Sequence, residues 1–516
     1  MFLEKLEGVK LTVAITFACG TGFLLFGYDQ GVFGGILTNA AFLGTFKNPN
    51  ATIQGQIVST YDIGCILGAI LSIFVGDKYG RRRCIMLGCS ILIVGGALQS
   101  ASSWLGMIIP ARIIAGLGNG LNTAQIPIWQ AETSKAHQRG MLICIQLALV
   151  ISGIVITEWM NFGFTYTTGP VTWRFPLAFQ CFFALLTIFL VKFLPESPRW
   201  MALKDRVPEA QAIIARLEGK PADHPDVLAE IDSIVTTVQR EAGMRRAGFR
   251  EFFAGGKQQT FRRLCLGAGA SIFQQMGGIN VVVYYLPIVL TQSFGFSNRL
   301  SLILSAVDSM SLVFWGVVAG FLVERVGRKK LMLQAAIMDS ICFACAAAGL
   351  GVGNKAGNTA AVVFIFLYYV FYGMGLMAIP FMYPSEINSQ HMRNVGSAVA
   401  MVTNWLFVYV VVLVTPTGIK NLGWRFYIIF AVMNAAWIPF IIYFYVETKG
   451  LSLEEVDRVF ELKYGREDGR KISYDEAIEQ VKFERTLHRT EKDAERGLGS
   501  SEKLEEVPVT VEEAEN

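Results

Sequence analysis

The sequence predicts an all-α membrane protein: twelve transmembrane helices in two six-helix halves, joined by a short helical linker. Three observations carry that reading. First, 53% of the residues are hydrophobic and only 17% are charged, whereas a soluble domain carries about 25% charged residues. So few polar side chains cannot cover a soluble globule of 516 residues. Second, twelve apolar runs approach or exceed the roughly twenty residues that span a bilayer. Third, the back of the chain repeats its front.

In order, the runs are 11–35, 57–75, 84–102, 106–128, 141–161, 175–194, 264–291, 300–323, 331–350, 361–384, 396–415 and 424–446. The first is long enough to span and no early cleavage site follows it, so it reads as a retained helix and not a signal peptide. An even number of spans puts both ends of the chain on one side. Lys and Arg crowd residues 76–83, 195–263 and 323–330, while the opposite loops hold Lys47, Arg174, Arg299, Lys355, Lys420 and Arg425. By the positive-inside rule both termini are cytoplasmic. The sequon Asn50-Ala51-Thr52 then lies outside, which makes Asn50 a glycosylation candidate.

Four segments follow: a first six-helix half (1–194), a cytoplasmic helical linker (195–263), a second half (264–446) and a cytoplasmic tail (447–516). In the linker, charged and apolar residues alternate at helical spacing from Pro208 to Gln239, which predicts short amphipathic helices. The tail is polar and poor in aromatics, so it is expected to be mostly disordered beyond one short helix near Leu453–Leu462.

The internal repeat is specific. "GDKYGRR" (76–82) returns as "VERVGRK" (323–329), and "AETSKAHQR" (131–139) as "SEINSQHMR" (385–393), with Glu and Arg seven apart in both. "TWRF" (172–175) returns as "GWRF" (423–426), and "PES" at 195 as "VET" at 446. Two parallel halves of one ancestry are the architecture of carriers that rock about a midplane site.

Composition excludes other classes. No basic cluster points to nucleic acid, and no nucleophile–base pair points to an enzyme. Histidines 137, 224, 391 and 488 are scattered without metal-ligand spacing. The nine cysteines lie in or beside apolar runs and read as packed thiols. No metal or cofactor is implied.

Asp29 is the first anomaly. A charged residue at a helix centre costs roughly 2.5–3.5 kcal/mol on insertion scales, yet Asp29 ends an apolar run among Gly27, Gly31, Gly34 and Gly35. The first span ends outside near Gly35 and the fourth begins outside near Gly106, so Asp29 and Arg112 each lie six residues deep. Equal depth suits an ion pair. It is either a static packing device or a proton-coupling pair that breaks when Asp29 is protonated.

A second anomaly sits in span seven. At about 1.5 Å per residue, Gln274 lies roughly 15 Å in, near the midplane, beside Gln275 and close to Asn280. On a continuous helix Asn280 falls nearer the Gln274 side. Three amides there are either interhelical glue or a site for hydroxyls, which donate and accept as amides do. Tyr284 and Tyr285 stand above them as a candidate outer gate. Asp62, Glu158, Asp308 and Asp339 also fall in apolar runs; Glu158, near an outer end, is expected to be solvated.

Arg81, Arg82, Glu132 and Arg139, with Arg328, Lys329, Glu386 and Arg393, lie at cytoplasmic helix ends. Topology alone accounts for the cations. The sharper reading is a set of inter-helix ion pairs latching the cytoplasmic side, each worth about 0–1 kcal/mol if partly solvated.

Taken in order, "GDKYGRRR" (76–83), "AETSKAHQRG" (131–140), "PESPRW" (195–200), "QQMGGINVVVYY" (274–285), "GRKK" (327–330), "YPSEI" (383–387), "NW" (404–405) and "VETKG" (446–450) resemble the sugar porter family of the major facilitator superfamily, its fungal branch in particular. The resemblance runs from Leu11 to about Phe460. It implies the major facilitator fold and proton-coupled import of a hexose or pentose across the plasma membrane. The partners implied are a small sugar, a proton and the bilayer. It assigns Gln274, Gln275, Asn280, Tyr372, Asn404 and Trp405 to the sugar site, and associates Glu196 and Glu447 with the cytoplasmic gate. It associates an acid at Asp29 with symport.

Three positions depart from the pattern. Phe381 stands after Pro380 where the family usually has Trp. Gln146, matched to a sugar-binding Gln, is one residue further from Gly153. Asp308 stands where the fungal pattern has Asn, as a substrate contact, a second titratable site or a structural acid. A facilitator, a polyol or sugar-acid transporter and a transporter-shaped nutrient sensor remain alternatives; the tail of about 70 residues is short for a sensor.

Overall fold

The computed structural model describes residues 6–134, 139–243, 258–389, 392–451, 453–464 and 472–495, and among them there is no strand. The first half contains α1 (Gly8–Ile36), the short α2 (Ala40–Thr45), α3 (Ala51–Tyr79), α4 (Arg81–Ala101), α5 (Leu105–Glu132), α6 (Arg139–Gly163) and α7 (Val171–Phe193). The linker forms α8 (Pro198–Leu203), α9 (Val207–Glu218) and α10 (Pro225–Gly243). The second half contains α11 (Thr260–Met276), α12 (Ile279–Ile288), α13 (Asn298–Val326), α14 (Arg328–Val352), α15 (Lys355–Gly375), α16 (Ile379–Ile387), α17 (Arg393–Leu422) and α18 (Arg425–Phe444).

Among the described residues, eleven helices are long and apolar enough to cross a membrane. The twelfth span is α5, 28 residues long. It falls short on hydropathy because Arg112, Asn119, Asn122 and Gln125 all lie along it, and all are buried against neighbours. Gln125 Nε2 donates to Ser72 O at 3.1 Å and Asn122 Nδ2 to Cys89 Sγ at 3.3 Å. Polar side chains in hydrocarbon need such partners.

Small residues set the helix spacing. A Cβ on Gly64 would stand 2.2 Å from Ile113 O, and one on Gly116 2.0 Å from Tyr61 O, so α3 and α5 meet backbone to backbone. Between helices in lipid, such contact replaces the hydrophobic drive as the source of association. α1 and α6 meet the same way at Gly27 and Gly153, and Thr157 Oγ1 and Asn161 Nδ2 donate to Tyr28 O and Val32 O across that seam.

The two halves pack through α1 with α12, α3 with α17 and α6 with α13. Several of these contacts sit at the end of the bundle away from α8–α10. Thr52 Oγ1 and Thr417 Oγ1 are 3.4 Å apart, and the Arg299 guanidinium lies 4.4 Å over the Tyr166 ring. Gly55 abuts Leu413 O, where a Cβ would stand at 2.6 Å. The far end is shut.

Two expectations need correction. Spans seven and ten are not continuous: α11 gives way to α12 at Gly277–Gly278, and α15 to α16 at Leu376–Ala378. Gly278 takes a φ of +96°, which turns the chain out of the first helix. Nor is the tail confined to one helix. After α19 (Leu453–Tyr464) comes α20 (Tyr474–Glu495), whose Ala477, Ile478 and Val481 are buried. These residues form an apolar stripe at helical spacing, and Tyr474 Oη lies 3.0 Å from Tyr464 Oη. In turn α19 is held by Arg263 at the start of span seven. That guanidinium pairs with Asp457 and lies 3.9 Å over the Phe460 ring.

The linker has its own small core, in which Ala210, Ile214, Val227, Ile231 and Val238 are buried together. It touches the bundle where Arg216 Nη2 donates to Leu6 O at 3.4 Å. Asn50 is exposed, and its side chain caps α3 by accepting from Ile53 N at 2.9 Å.

Candidate functional site

The helix breaks position the amides. Gln274 Nε2 donates to Leu376 O at 3.1 Å and Met377 O at 3.4 Å, the carbonyls freed where α15 ends. Asn434 Nδ2 and Tyr368 Oη both donate to Gly277 O, at 3.0 and 3.3 Å, securing the other break. Beyond it Asn280 Nδ2 donates to Gln275 Oε1 at 2.6 Å, and Gln275 Nε2 donates to Asn404 Oδ1 at 2.6 Å. Helical counting puts Asn280 beside Gln274. The turn at Gly278 shifts the register and gives it to Gln275 instead.

Three elements, α11, α12 and α17, thus supply one chain of neutral amides. Around it stand Tyr372, stacked on Tyr368 at 5.7 Å, and Trp405, edge-on to Phe26 of α1 at 5.5 Å. Trp405 Nε1, Tyr284 Oη and Gln146 Nε2 are buried without a hydrogen-bond partner among the described residues. Tyr285 Oη donates to Val412 O at 3.0 Å, tying α12 to α17, and Tyr284 packs its carbonyl on Gly34 of α1. Phe381 is half-buried just past the second break. Among the described residues, the amide chain's hydrogen bonds include neither Gln146 nor Phe381.

One turn beyond Phe26 on α1, Asp29 Oδ1 accepts from Arg112 Nη1 at 2.9 Å, and both side chains are 0% exposed. The arginine is fully engaged. Its Nε and Nη2 donate to Ile57 O and Val58 O at 3.3 and 3.2 Å, and its plane lies between the rings of Phe33 (4.5 Å) and Tyr61 (4.4 Å). Asp62 is buried in the same neighbourhood, a second carboxyl beside one cation. Sequence reading left Asp62 without a role; its spacing from Ile57 and Val58 on α3 was the available signal.

At the linker end the charged motifs form two matching networks. Arg81 Nε pairs with Glu132 at 3.1 Å, and Glu196 accepts from the backbone N–H groups of Arg81 (3.1 Å) and Arg82 (3.2 Å). Burial pushes the Glu196 carboxyl above its ordinary value, and the N–H groups of Ser197 and Arg82 partly offset that. In the second half Arg328 pairs with Glu386 at 2.8 Å, and Glu447 accepts from Arg328 N (2.9 Å) and Lys329 N (3.1 Å). Both networks join helices inside one half; none of these pairs crosses between halves. Arg393 opens α17, and the side chain of Arg139 lies outside the described residues.

Glu158 is not solvated as its position suggested. It is 3% exposed, because α13 packs over α6 there, and it faces the buried Asp308.

Paired halves, two broken spans meeting at an amide chain, and a sealed ion pair one turn from Phe26 define a helical membrane carrier. The chain belongs to the sugar (and other) transporter family, which it matches over residues 14–460. It is 39% identical to the MFS-type transporter oryC of Aspergillus oryzae over 523 residues, covering 99% of this chain and 96% of that protein. It is 37% identical to the sugar transporter STL1 of Saccharomyces cerevisiae over 478 residues, covering 90% and 83%. Among solved structures it is similar to the proton:xylose symporter XylE bound to 6-bromo-6-deoxy-D-glucose, with a TM-score of 0.73 and 26% identity, covering 87% of this chain and 99% of that one.

Proposed function

We propose that this protein imports a monosaccharide, a hexose or pentose, with a proton across the plasma membrane by alternating access. In this reading the linker end and both termini are cytoplasmic. The carrying observation is one connected arrangement on α1: Phe26 packs on Trp405 beside the amide chain, and Asp29 one turn away is paired with Arg112 out of reach of water. Amides and unpartnered buried donors suit a neutral polyhydroxylated ligand, which needs both donors and acceptors. An acid held by one cation suits a proton. Protonating Asp29 releases Arg112, and the motion of α1 carries that change to the sugar site. Each inward charge gains about 2.3 kcal/mol per 100 mV of membrane potential. The linker-end networks keep each half rigid as it rocks. The name of the solved symporter and the sugar transporter relatives support this reading.

The test is uptake of a radiolabelled sugar panel in a transporter-null yeast, with and without a protonophore. Wild type is expected to accumulate one or more sugars and to lose accumulation with the protonophore. Asp29→Asn, nearly isosteric but unable to titrate, is expected to exchange sugar down its gradient without concentrating it. Equal accumulation and equal external alkalinisation in Asp29→Asn would remove Asp29 from coupling. Uptake insensitive to the protonophore in wild type would favour a facilitator.

A further inference from the structure

Away from the Asp29–Arg112 pair, a second set of charged groups is buried where the halves meet. Glu158 on α6 is 3% exposed and Asp308 on α13 is 0% exposed. The two helices belong to different halves and pack against each other. Neither oxygen of Asp308 has a hydrogen-bond partner among the described residues, and Glu158 Oε2 has none. On α13, Ser301, Ser305, Asp308 and Ser309 fall on one helical face, and all are 1% exposed or less. Ser309 lies between Glu158 and Tyr369 of α15. The hydroxyl of Ser305, one turn before, is buried with no partner among the described residues.

The titratable groups facing Asp308 are Glu158 from α6 and Tyr369 from α15. Tyr284 and Tyr285 of α12 face Asp62 and Arg112 instead, and Asp339 of α14 faces Tyr368. No cation is among these groups. Two carboxylates cannot both be ionised side by side in hydrocarbon without one.

We propose that Glu158 and Asp308 share one proton across the boundary between the halves, a second proton site that clasps the far end shut. The proton comes from water at the open far end. It converts the repelling dianion to a single O–H···O⁻ bridge, with the serine hydroxyls donating to the remaining oxygens. Loss of that proton restores the repulsion and drives α6 and α13 apart. The inference takes from the proposed function only that the halves move relative to each other, and it needs no sugar.

The experiment uses the full chain in lipid nanodiscs, free of substrate. Spin labels are placed at the exposed far-end positions Thr168 and Asn298, and their separation is followed against pH by pulsed electron resonance. Wild type is expected to be closed at low pH and to open as pH rises. The double variant Glu158→Gln, Asp308→Asn, neutral at every pH, is expected to stay closed throughout. Asp339→Asn, at a buried acid of α14 that does not face Glu158 or Asp308, is expected to keep the wild-type response, which separates this site from other buried carboxyls. In wild type the infrared band of a protonated carboxyl is expected, and it should weaken in the double variant, which removes both carboxyls. A separation independent of pH in wild type, the same pH response in the double variant, or a band unchanged in the double variant would overturn the proposal. So would closure that follows sodium at fixed pH, which would make the ligand a metal cation. Failure of sugar uptake leaves these readouts intact, so the two readings fail separately.

Discussion

At the scale of single residues, the partners of each amide separate structure from binding. Gln274 spends its N–H groups on Leu376 O and Met377 O, so it holds the second helix break. Among the described residues the side chains of Gln275 and Asn280 bond only to other amides, and those bonds can be exchanged for ligand hydroxyls. Gln275→Ala and Asn280→Ala are therefore expected to raise the apparent KM with surface expression retained. Each lost hydrogen bond is worth roughly 0.5–1.5 kcal/mol, or about 2- to 12-fold in KM at 1.4 kcal/mol per decade. Gln274→Ala is expected to lower expression as well, because two carbonyls of the break lose their donor. Uptake kinetics beside surface biotinylation check this; loss of all three from the membrane would make the amides structural. The sequence shows that these amides lie near the midplane. It does not show which of them bonds to which, because one residue at φ +96° changes the register after Met276.

Helical elements were legible where hydropathy is uniform and illegible where it is broken from within. Runs such as 331–350 and 424–446 became the uninterrupted α14 and α18. Run 361–384 is at least as apolar and run 264–291 somewhat less so, yet each divides in two. The Gly277-Gly278 pair and Pro380 were the visible signs, but glycine and proline also occur inside continuous helices such as α5 and α17. What decides the break is the supply of partners for the freed carbonyls, here Asn434, Tyr368 and Gln274, which come from three other helices. Gly278→Ala tests this. Its φ costs an L-residue about 1–2 kcal/mol, and the new Cβ would meet Phe343 Cζ at 2.8 Å, within a ring cluster with Tyr368 and Phe430. The expected result is a lower melting temperature for the purified protein and loss of sugar-induced stabilisation. A variant that melts and binds like wild type would show that the break tolerates another path.

At the scale of the whole molecule, the far end is closed by contacts between halves, while the linker-end ion pairs described above stay within them. In the proposed alternating access α3 and α17 separate and meet again, and their meeting point admits no side chain at Gly55. Gly55→Val is expected to hold the far end open. Purified protein should then be labelled faster at an introduced far-end cysteine, and uptake should fall severalfold although the amide chain is untouched. Unchanged labelling would place the closing contact elsewhere. The sequence by itself determined the number of spans, the kinship of the halves, the gathering of the basic loops at one end and the matched depth of Asp29 and Arg112. All four follow from counting along one chain against a bilayer of known thickness. Only the tertiary structure decided that Asp62 lies beside Arg112, that Glu158 faces Asp308 across the halves, and that the Arg81–Glu132 and Arg328–Glu386 pairs each stay inside one half. Those outcomes depend on which face one helix turns to another, and the backbone contacts at Gly27, Gly64, Gly116 and Gly153 settle that only once distant segments are packed together.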